Sequence, residues 1–153
     1  ARDSLFVVAD GMGGHNAGEV ASAMAIKFLG AAQYNGIADA QQLNSIIKEV
    51  NEKIFQAANE QTDQRGMGTT LTALVITPTN KSKSENESKS VTVANIGDSR
   101  TYLLRAGEFR QVSVDHSYVQ ELVSEGVITR DEARTHARRI SSHAHWVLSQ
   151  QSE

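Results

Sequence analysis

The residues best suited to chemistry begin with Asp10, which ends a short apolar run and is followed at once by glycines. The run 6–9 predicts a buried strand, and Gly11, Gly13 and Gly14 come next. Glycines let the backbone approach a ligand closely, so this stretch could hold a cation on the carboxylate or a phosphate on backbone amides. The alternative without chemistry is a tight turn that contains an aspartate.

A second aspartate, Asp98, is placed in the same way. It follows a predicted buried strand and Gly97, and it is followed by Ser99. Its carboxylate could serve the same cation, or it could accept a hydrogen bond from its own backbone in an Asx turn.

Two further polar groups invite a functional interpretation, and each also has a structural one. Gly68 and Thr69 lie at the start of a predicted strand, where a glycine and a hydroxyl could support a ligand or could simply suit the strand. Residues 115–117 (Asp-His-Ser) could contain an acid–base pair or a helix cap. A serine nucleophile is not expected, because the sequence contains no Gly-x-Ser-x-Gly elbow.

The glycine spacing favours a metal site over a nucleotide-binding module, which is the weaker alternative. Asn16 stands where a dinucleotide loop needs its third glycine, and no Gly-Lys-Ser/Thr follows, so neither phosphate-binding motif is present. A carboxylate directly before the glycines would also repel a pyrophosphate. The sequence therefore favours a metal site at which phosphate binds through the metal. The pair His143 and His145 lacks a third ligand at suitable spacing, and we interpret it as part of a polar tail.

The composition is that of one globular domain, residues 1–153, with a core of its own. The net charge of -3 leaves no basic excess to neutralise phosphates, which argues against nucleic-acid binding. There is no cysteine, so disulfides and thiolate metal sites are excluded. No apolar run reaches bilayer length, and a cytoplasmic location is expected. The chain begins almost directly with a buried strand and without Met, so we expect the native chain to be longer.

The predicted elements place both aspartates at strand ends. Helices are predicted at 18–29 and at 39–61, the second with Asp39 as its N-cap. A strand at 66–77 and its partner at 91–96 flank the polar segment 78–90, which we interpret as a flexible hairpin loop. The following strands, 100–105 and 109–113, should continue an antiparallel meander. A helix capped by Ser113 or Asp115 and ended by Gly126 follows, and then a short helix with a capping box from Thr129 to Glu132. Segregated helices and antiparallel strands predict an α+β fold.

Taken together, the motifs resemble those of bacterial metal-dependent serine/threonine protein phosphatases of the 2C (PPM) type. The resemblance covers about residues 5–139, and order and spacing agree as well. It rests on these stretches: Phe-Val-Val-Ala-Asp-Gly-Met-Gly-Gly-His (6–15), Gly-Thr-Thr (68–70), Val-Ala-Asn-Ile-Gly-Asp-Ser-Arg-Thr-Tyr (93–102) and Val-Asp-His-Ser (114–117).

The resemblance implies a β-sandwich of two antiparallel sheets flanked by antiparallel helix pairs, with two or three Mn²⁺ or Mg²⁺ ions at one end. Asp10 would be the catalytic residue that bridges two ions, the Gly11 carbonyl would bind one of them, and Asp98 would serve the third. A metal-activated water would then hydrolyse phosphoserine or phosphothreonine. Carboxylate and carbonyl oxygens are the ligands these ions prefer. Candidate supporting residues are Gly13, Gly14, Gly68, Thr69 and Ser99.

The resemblance is incomplete at both ends. The family's first motif would precede residue 1, its last motifs would follow residue 150, and the tail 140–153 diverges from the family pattern. We therefore expect the isolated chain to bind metal weakly and to turn over little substrate. We also expect it to form a dimer or to exchange segments through uncovered sheet, unless the tail folds back to cover this gap. The implied partners are phosphorylated proteins of a serine/threonine kinase pathway. The alternative function is that of a catalytically inactive family member that binds a partner and regulates it.

Overall fold

A computed structural model describes residues 4–13, 17–33, 39–78 and 89–136 of the chain. Within these ranges the strands are β1 (Ser4–Val8), β2 (Gly11–Met12), β3 (Gly68–Thr69), β4 (Leu71–Pro78), β5 (Lys89–Ile96), β6 (Tyr102–Arg105) and β7 (Glu108–Gln111). The helices are α1 (Ala17–Gln33), α2 (Ala40–Glu60), α3 (Tyr118–Ser124) and α4 (Arg130–Thr135), with a 3₁₀ turn at Thr62–Gln64. Helices and antiparallel strands are segregated, which confirms the predicted α+β class.

The central sheet has the order β1-β4-β5, and both of its pairings are antiparallel. The β4–β5 hairpin confirms the predicted pairing, while most of the segment predicted as its flexible loop, 79–88, lies outside the described residues. Side chains alternate between the two faces of β1, because successive residues of a strand point in opposite directions. Leu5 and Val7 pack against the core, whereas Phe6 and Val8 are exposed.

The core lies between one face of this sheet and the helices α1 and α2. Every fourth residue of α1 from Ala17 to Leu29 is buried, and α2 contributes an apolar stripe that includes Leu43 and Ile47. Alanines dominate the buried stripe of α1, so this helix can approach the sheet closely. The two helices confirm the predicted pair, although α1 continues beyond the predicted end at residue 29. No helix within the described ranges is long and apolar enough to cross a membrane.

Strands β6 and β7 correct the predicted meander. They pair with each other in a separate two-stranded sheet, and among the described residues β6 does not pair with β5. The chain turns away after β5 at Gly97, whose φ of 82° lies in the left-handed region that favours glycine. Side chains from both sheets, including Leu74, Val93 and Leu103, line a cavity of about 290 Å³. The two sheets therefore face each other as in a sandwich.

The long strand predicted at 66–77 is divided in the structure. Residues 68–69 pair with β2, and the strand resumes at Leu71 in the central sheet. Thr70 lies at the division because its backbone N–H donates to the carbonyl oxygen of Asp10 at 2.9 Å instead of continuing a ladder.

The helix caps confirm three predictions and correct one. Asp39 caps α2 by accepting a hydrogen bond from the Gln42 backbone N–H at 2.8 Å, and Thr129 and Glu132 form the predicted capping box. Gly126 ends α3 with a φ of 72°. The cap of α3, however, is Ser117. The predicted caps are engaged elsewhere, because the Ser113 hydroxyl accepts from the Thr101 backbone N–H and the Asp115 carboxylate accepts from Arg100.

Candidate metal centre

The backbone of Asp10 is held by Thr69, which ends β3, and by Thr70, which follows it. Its N–H donates to the Thr70 hydroxyl at 3.2 Å, and its carbonyl oxygen accepts from the Thr70 N–H at 2.9 Å and from the Thr69 hydroxyl at 3.0 Å. The backbone N–H and the backbone carbonyl of Asp10 thus both have protein partners. The side chain of Asp10 remains exposed, so its carboxylate is available to a ligand from solution.

The glycine after this aspartate allows α1 to approach. A Cβ built on Gly11 would lie 1.9 Å from the Gly18 carbonyl oxygen, and a Cβ on Gly18 would lie 2.8 Å from the Gly11 carbonyl oxygen. Neither distance is compatible with a side chain, so the two backbones meet directly. Gly13 has a φ of 143°, which an L-residue rarely adopts. The predicted supporting residue Gly14 lies outside the described residues.

Three hydrogen bonds hold the turn that carries Asp98. The Gly97 carbonyl oxygen accepts from the His116 backbone N–H at 2.7 Å and from the Asn95 side-chain amide at 3.3 Å. The same amide also donates to the Val114 carbonyl oxygen at 3.2 Å, which ties the turn to the segment before α3. Asp98 itself is exposed.

A single residue joins the two acid-bearing turns. The hydroxyl of Thr70, which accepts from the Asp10 N–H, also lies 2.6 Å from the Ser99 hydroxyl, and either hydroxyl can be the donor in that bond. Thr70 is buried, with 7% of its surface exposed. The structure therefore brings the predicted residues Asp10, Thr69 and Ser99 into one network beside Asp98. Gly68 lies next to them, opposite Met12 in the β2–β3 pair.

The oxygen atoms carried by the Asp10 and Asp98 turns are of the kind that Mn²⁺ and Mg²⁺ bind. The two exposed carboxylates lie on turns that are fixed relative to each other, and oxygen is the ligand atom that both ions prefer. No group of three or more His, Cys, Asp or Glu side chains suited to a metal occurs in the part of the chain that the structure describes. The carboxylates of Asp10 and Asp98 and the Gly11 carbonyl are the candidate ligands that the resemblance implies.

An ion pair beside the second turn was not predicted from the sequence. Arg100 donates two hydrogen bonds from Nε to the Asp115 carboxylate, at 2.9 and 3.0 Å, and one from Nη2 at 2.6 Å. Asp115 also accepts from the Gln111 amide at 3.0 Å. Hydrogen bonding to Asp115 raises the pKa of Arg100, which stays charged at any physiological pH. The Asp-Arg spacing in the sequence carries no periodic signal that could have revealed the pair.

Of the two alternatives for residues 115–117, an acid–base pair or a helix cap, the structure shows the helix cap. Asp115 is engaged by Arg100, and Ser117 caps α3. His116 is about half-buried, and this burial lowers its pKa below the ordinary value of 6.5, against the smaller opposing effects of Asp115 and Glu121. A neutral imidazole at neutral pH follows.

Comparisons with known proteins identify relatives along nearly the whole chain. Residues 1–147 match the family model described as protein phosphatase 2C. A curated relative, the serine/threonine phosphatase stp of Listeria welshimeri, is 41% identical over 141 residues, which cover 88% of this chain and 52% of the relative. The chain thus spans about half the length of this curated relative.

Solved structures give the same result. The crystal structure of the Mycobacterium tuberculosis serine/threonine phosphatase PstP/Ppp is 36% identical with a TM-score of 0.73, over 99% of this chain and 66% of that one. The catalytic domain of the serine/threonine protein phosphatase PstP in complex with two manganese ions is 35% identical with a TM-score of 0.68, over 99% of this chain and 65% of that one.

Proposed function

This chain belongs to the protein phosphatase 2C family, and from that premise we propose that the protein hydrolyses phosphoserine and phosphothreonine in other proteins. The observation that carries the proposal is the placement of two exposed aspartates, Asp10 and Asp98, on turns that Thr70 links to each other. Membership of the family confirms the resemblance found in the sequence. We also assign all 153 residues to a single phosphatase domain.

We assign the metal-binding role to oxygen atoms of this chain. Asp10 would hold two ions and act as the catalytic residue, the Gly11 carbonyl would bind one of these ions, and Asp98 would hold a further ion. The relative bound to two manganese ions supports Mn²⁺, and Mg²⁺ fits the same donors. When bound, such ions would lower the pKa of a coordinated water molecule and stabilise charge that develops on a phosphoryl group. Thr69 and Thr70 keep the Asp10 turn in place for this purpose.

The proposed substrates are proteins phosphorylated by a serine/threonine kinase pathway in the cytoplasm. For the isolated chain we propose weak metal binding and slow turnover, because few protein ligands converge within the described residues. A two-ion site needs about six ligands for each ion, several of them carboxylates.

The test compares the chain with Asp10→Asn, which keeps the shape of the side chain and removes its charge. Asp131→Asn is the matched control, because Asp131 lies on α4 and 91% of its side chain is exposed. Hydrolysis of a phosphothreonine peptide is measured with and without Mn²⁺. We expect slow, Mn²⁺-dependent hydrolysis that Asp10→Asn reduces by more than about tenfold. Asp131→Asn should change it by less than twofold.

Two results would contradict this proposal. Equal Mn²⁺-dependent rates for the chain and for Asp10→Asn would remove Asp10 from catalysis. A folded chain that binds a phosphoprotein tightly but hydrolyses it no faster with Mn²⁺ than without would favour the inactive binding module instead.

A further inference from the structure

We propose that Thr70 is a positioning residue that holds the Asp10 and Asp98 turns in the mutual arrangement needed for a shared metal cluster. This inference rests on the proposed function. Among the hydrogen bonds of the described residues, those of the Thr70 hydroxyl do not go to the carboxylate of Asp10 or Asp98. Thr70 acts through the backbone of Asp10 and through the hydroxyl of Ser99, the residue next to Asp98.

The two turns come from distant parts of the sequence. The bond from Thr70 to Asp10 spans 60 positions, and the bond to Ser99 spans 29. Each turn is fixed to its own surroundings, the first by Thr69 and the second by Asn95. Among the hydrogen bonds described for these turns, the Thr70 hydroxyl is the group that contacts both. Its removal should leave each turn folded while loosening one against the other.

Threonine suits position 70 because both the hydroxyl and the methyl group of its side chain make contacts. The hydroxyl makes the two hydrogen bonds, and the methyl group packs against Gly97, where a built Cβ would lie 2.9 Å from Thr70 Cγ2. Branching at Cβ also restricts the side chain to few rotamers, so the hydroxyl is held in place before a metal binds. Serine would keep the hydroxyl without the methyl group, and valine would keep a branched shape without the hydroxyl.

The sequence offers a matched control for the loss of a hydroxyl pair. Thr72 lies two positions further along, in β4, and its hydroxyl is 2.7 Å from the hydroxyl of Thr101. This pair also connects the central sheet to the segment after β5, but it contacts neither acid-bearing turn in the described hydrogen bonds. Thr72→Val should therefore cost stability of the same kind as Thr70→Val without an effect on metal affinity.

The experiment measures Mn²⁺ affinity by electron paramagnetic resonance of the free ion, beside urea unfolding of the metal-free chain. We expect Thr70→Val to weaken Mn²⁺ binding by about 10- to 100-fold, as for other groups that orient metal ligands. Ser99→Ala should weaken it in the same direction. Thr72→Val should stay within about twofold of the parent, and Thr70→Ser, which restores the hydroxyl, within about threefold.

A double-substitution cycle tests whether the effect passes through Asp98. In an Asp98→Asn background, Thr70→Val should weaken Mn²⁺ binding by clearly less than it does in the parent, because the turn that it positions no longer carries a charged ligand. An equal effect in both backgrounds would overturn the inference. If Thr70→Val does not fold, Ser99→Ala replaces it in the cycle, since it breaks the same bond from the other side.

The outcomes separate this inference from the proposed function. If Asp10→Asn abolishes Mn²⁺ binding while Thr70→Val and Ser99→Ala bind as the parent does, the positioning role is wrong and the metal site stands. If Asp10→Asn binds Mn²⁺ as tightly as the parent, the proposed metal site is wrong, and the positioning role is lost with it.

Discussion

The direct contact between Gly11 and Gly18 predicts a large cost for a single methyl group. In Gly11→Ala the new Cβ would lie 1.9 Å from the Gly18 carbonyl oxygen and 2.4 Å from its carbonyl carbon. Carbon and oxygen atoms that are not bonded to each other approach to about 3.3 Å, so the two backbones would have to part by about 1.4 Å. The obstructing atoms belong to the first turn of α1 and cannot rotate away as a side chain could.

The magnitude follows from two opposing terms. Overpacking of a well-packed interior costs about 1–3 kcal/mol. Gly11 is itself exposed, but its new Cβ would meet the buried backbone of Gly18, which places Gly11→Ala at the upper end of this range. Alanine has fewer conformations than glycine in the unfolded chain, and this raises the free energy of unfolding by about 0.4–1 kcal/mol. The gain applies here because Gly11 does not have a positive φ, so alanine can adopt its backbone conformation. The expected loss is therefore about 2 kcal/mol in the free energy of unfolding. For a domain of this size it lowers the melting temperature by about 4–8 °C.

Urea unfolding, followed by circular dichroism, measures this loss. Gly30→Ala is the control within α1, because a Cβ built on Gly30 meets no atom within 4 Å. That substitution should raise the stability by about 0.5–1 kcal/mol, since glycine is unfavourable inside a helix. If Gly11→Ala unfolded at the same urea concentration as the parent, the close approach of α1 to the Asp10 turn would be refuted.

Two further predictions concern the loss of stability at low pH and the formation of a dimer. Burial lowers the pKa of His116, so the unfolded chain takes up a proton at a higher pH than the folded chain does, and stability should fall as the pH drops below about 6.5. His116→Gln should lose less stability than the parent between pH 7.5 and pH 5, as measured by urea unfolding at both values. The exposed apolar side chains Phe6, Val8, Leu104 and Phe109 support the proposed dimer. Sedimentation should show a dimer at high concentration that Leu104→Asp weakens, and a monomer throughout would contradict the prediction.

The features that could be predicted from the sequence are those set by neighbouring residues. The helix α2, its cap at Asp39 and the capping box at Thr129 follow from local patterns, and the structure confirms them. The placement of Asp10 and Asp98 at the ends of strands was also visible, because an apolar run followed by glycine marks such a place. Their roles as ligands stay a prediction.

The features that could not be predicted depend on residues distant in the sequence. The strand predicted across Thr70 is divided because Thr70 bonds to other turns. Its backbone N–H and its hydroxyl bond to the backbone of Asp10, and its hydroxyl also bonds to Ser99. Arg100 takes the carboxylate of Asp115 from 15 positions away, which leaves the cap of α3 to Ser117. In each case the residue could have made a hydrogen bond to nearby residues, but its partner in the structure lies far away in the sequence. The sequence pattern does not show which of these hydrogen bonds forms.

The glycine after Asp10 shows why a motif by itself does not identify a function. In the sequence, a glycine after an aspartate suggests a place where the backbone approaches a ligand. The structure gives a second reason for a glycine at position 11, which is the close packing of α1 against it. The two reasons make different demands, because packing governs the stability of the metal-free chain and ligation governs metal affinity. Gly18→Ala intrudes on the same contact from the helix side, and its Cβ would lie 2.8 Å from the Gly11 carbonyl oxygen itself. Both substitutions should lower the free energy of unfolding, and both should also weaken Mn²⁺ binding if the Gly11 carbonyl is a ligand. A loss of stability with unchanged Mn²⁺ affinity in both variants would leave packing as the reason for the glycine.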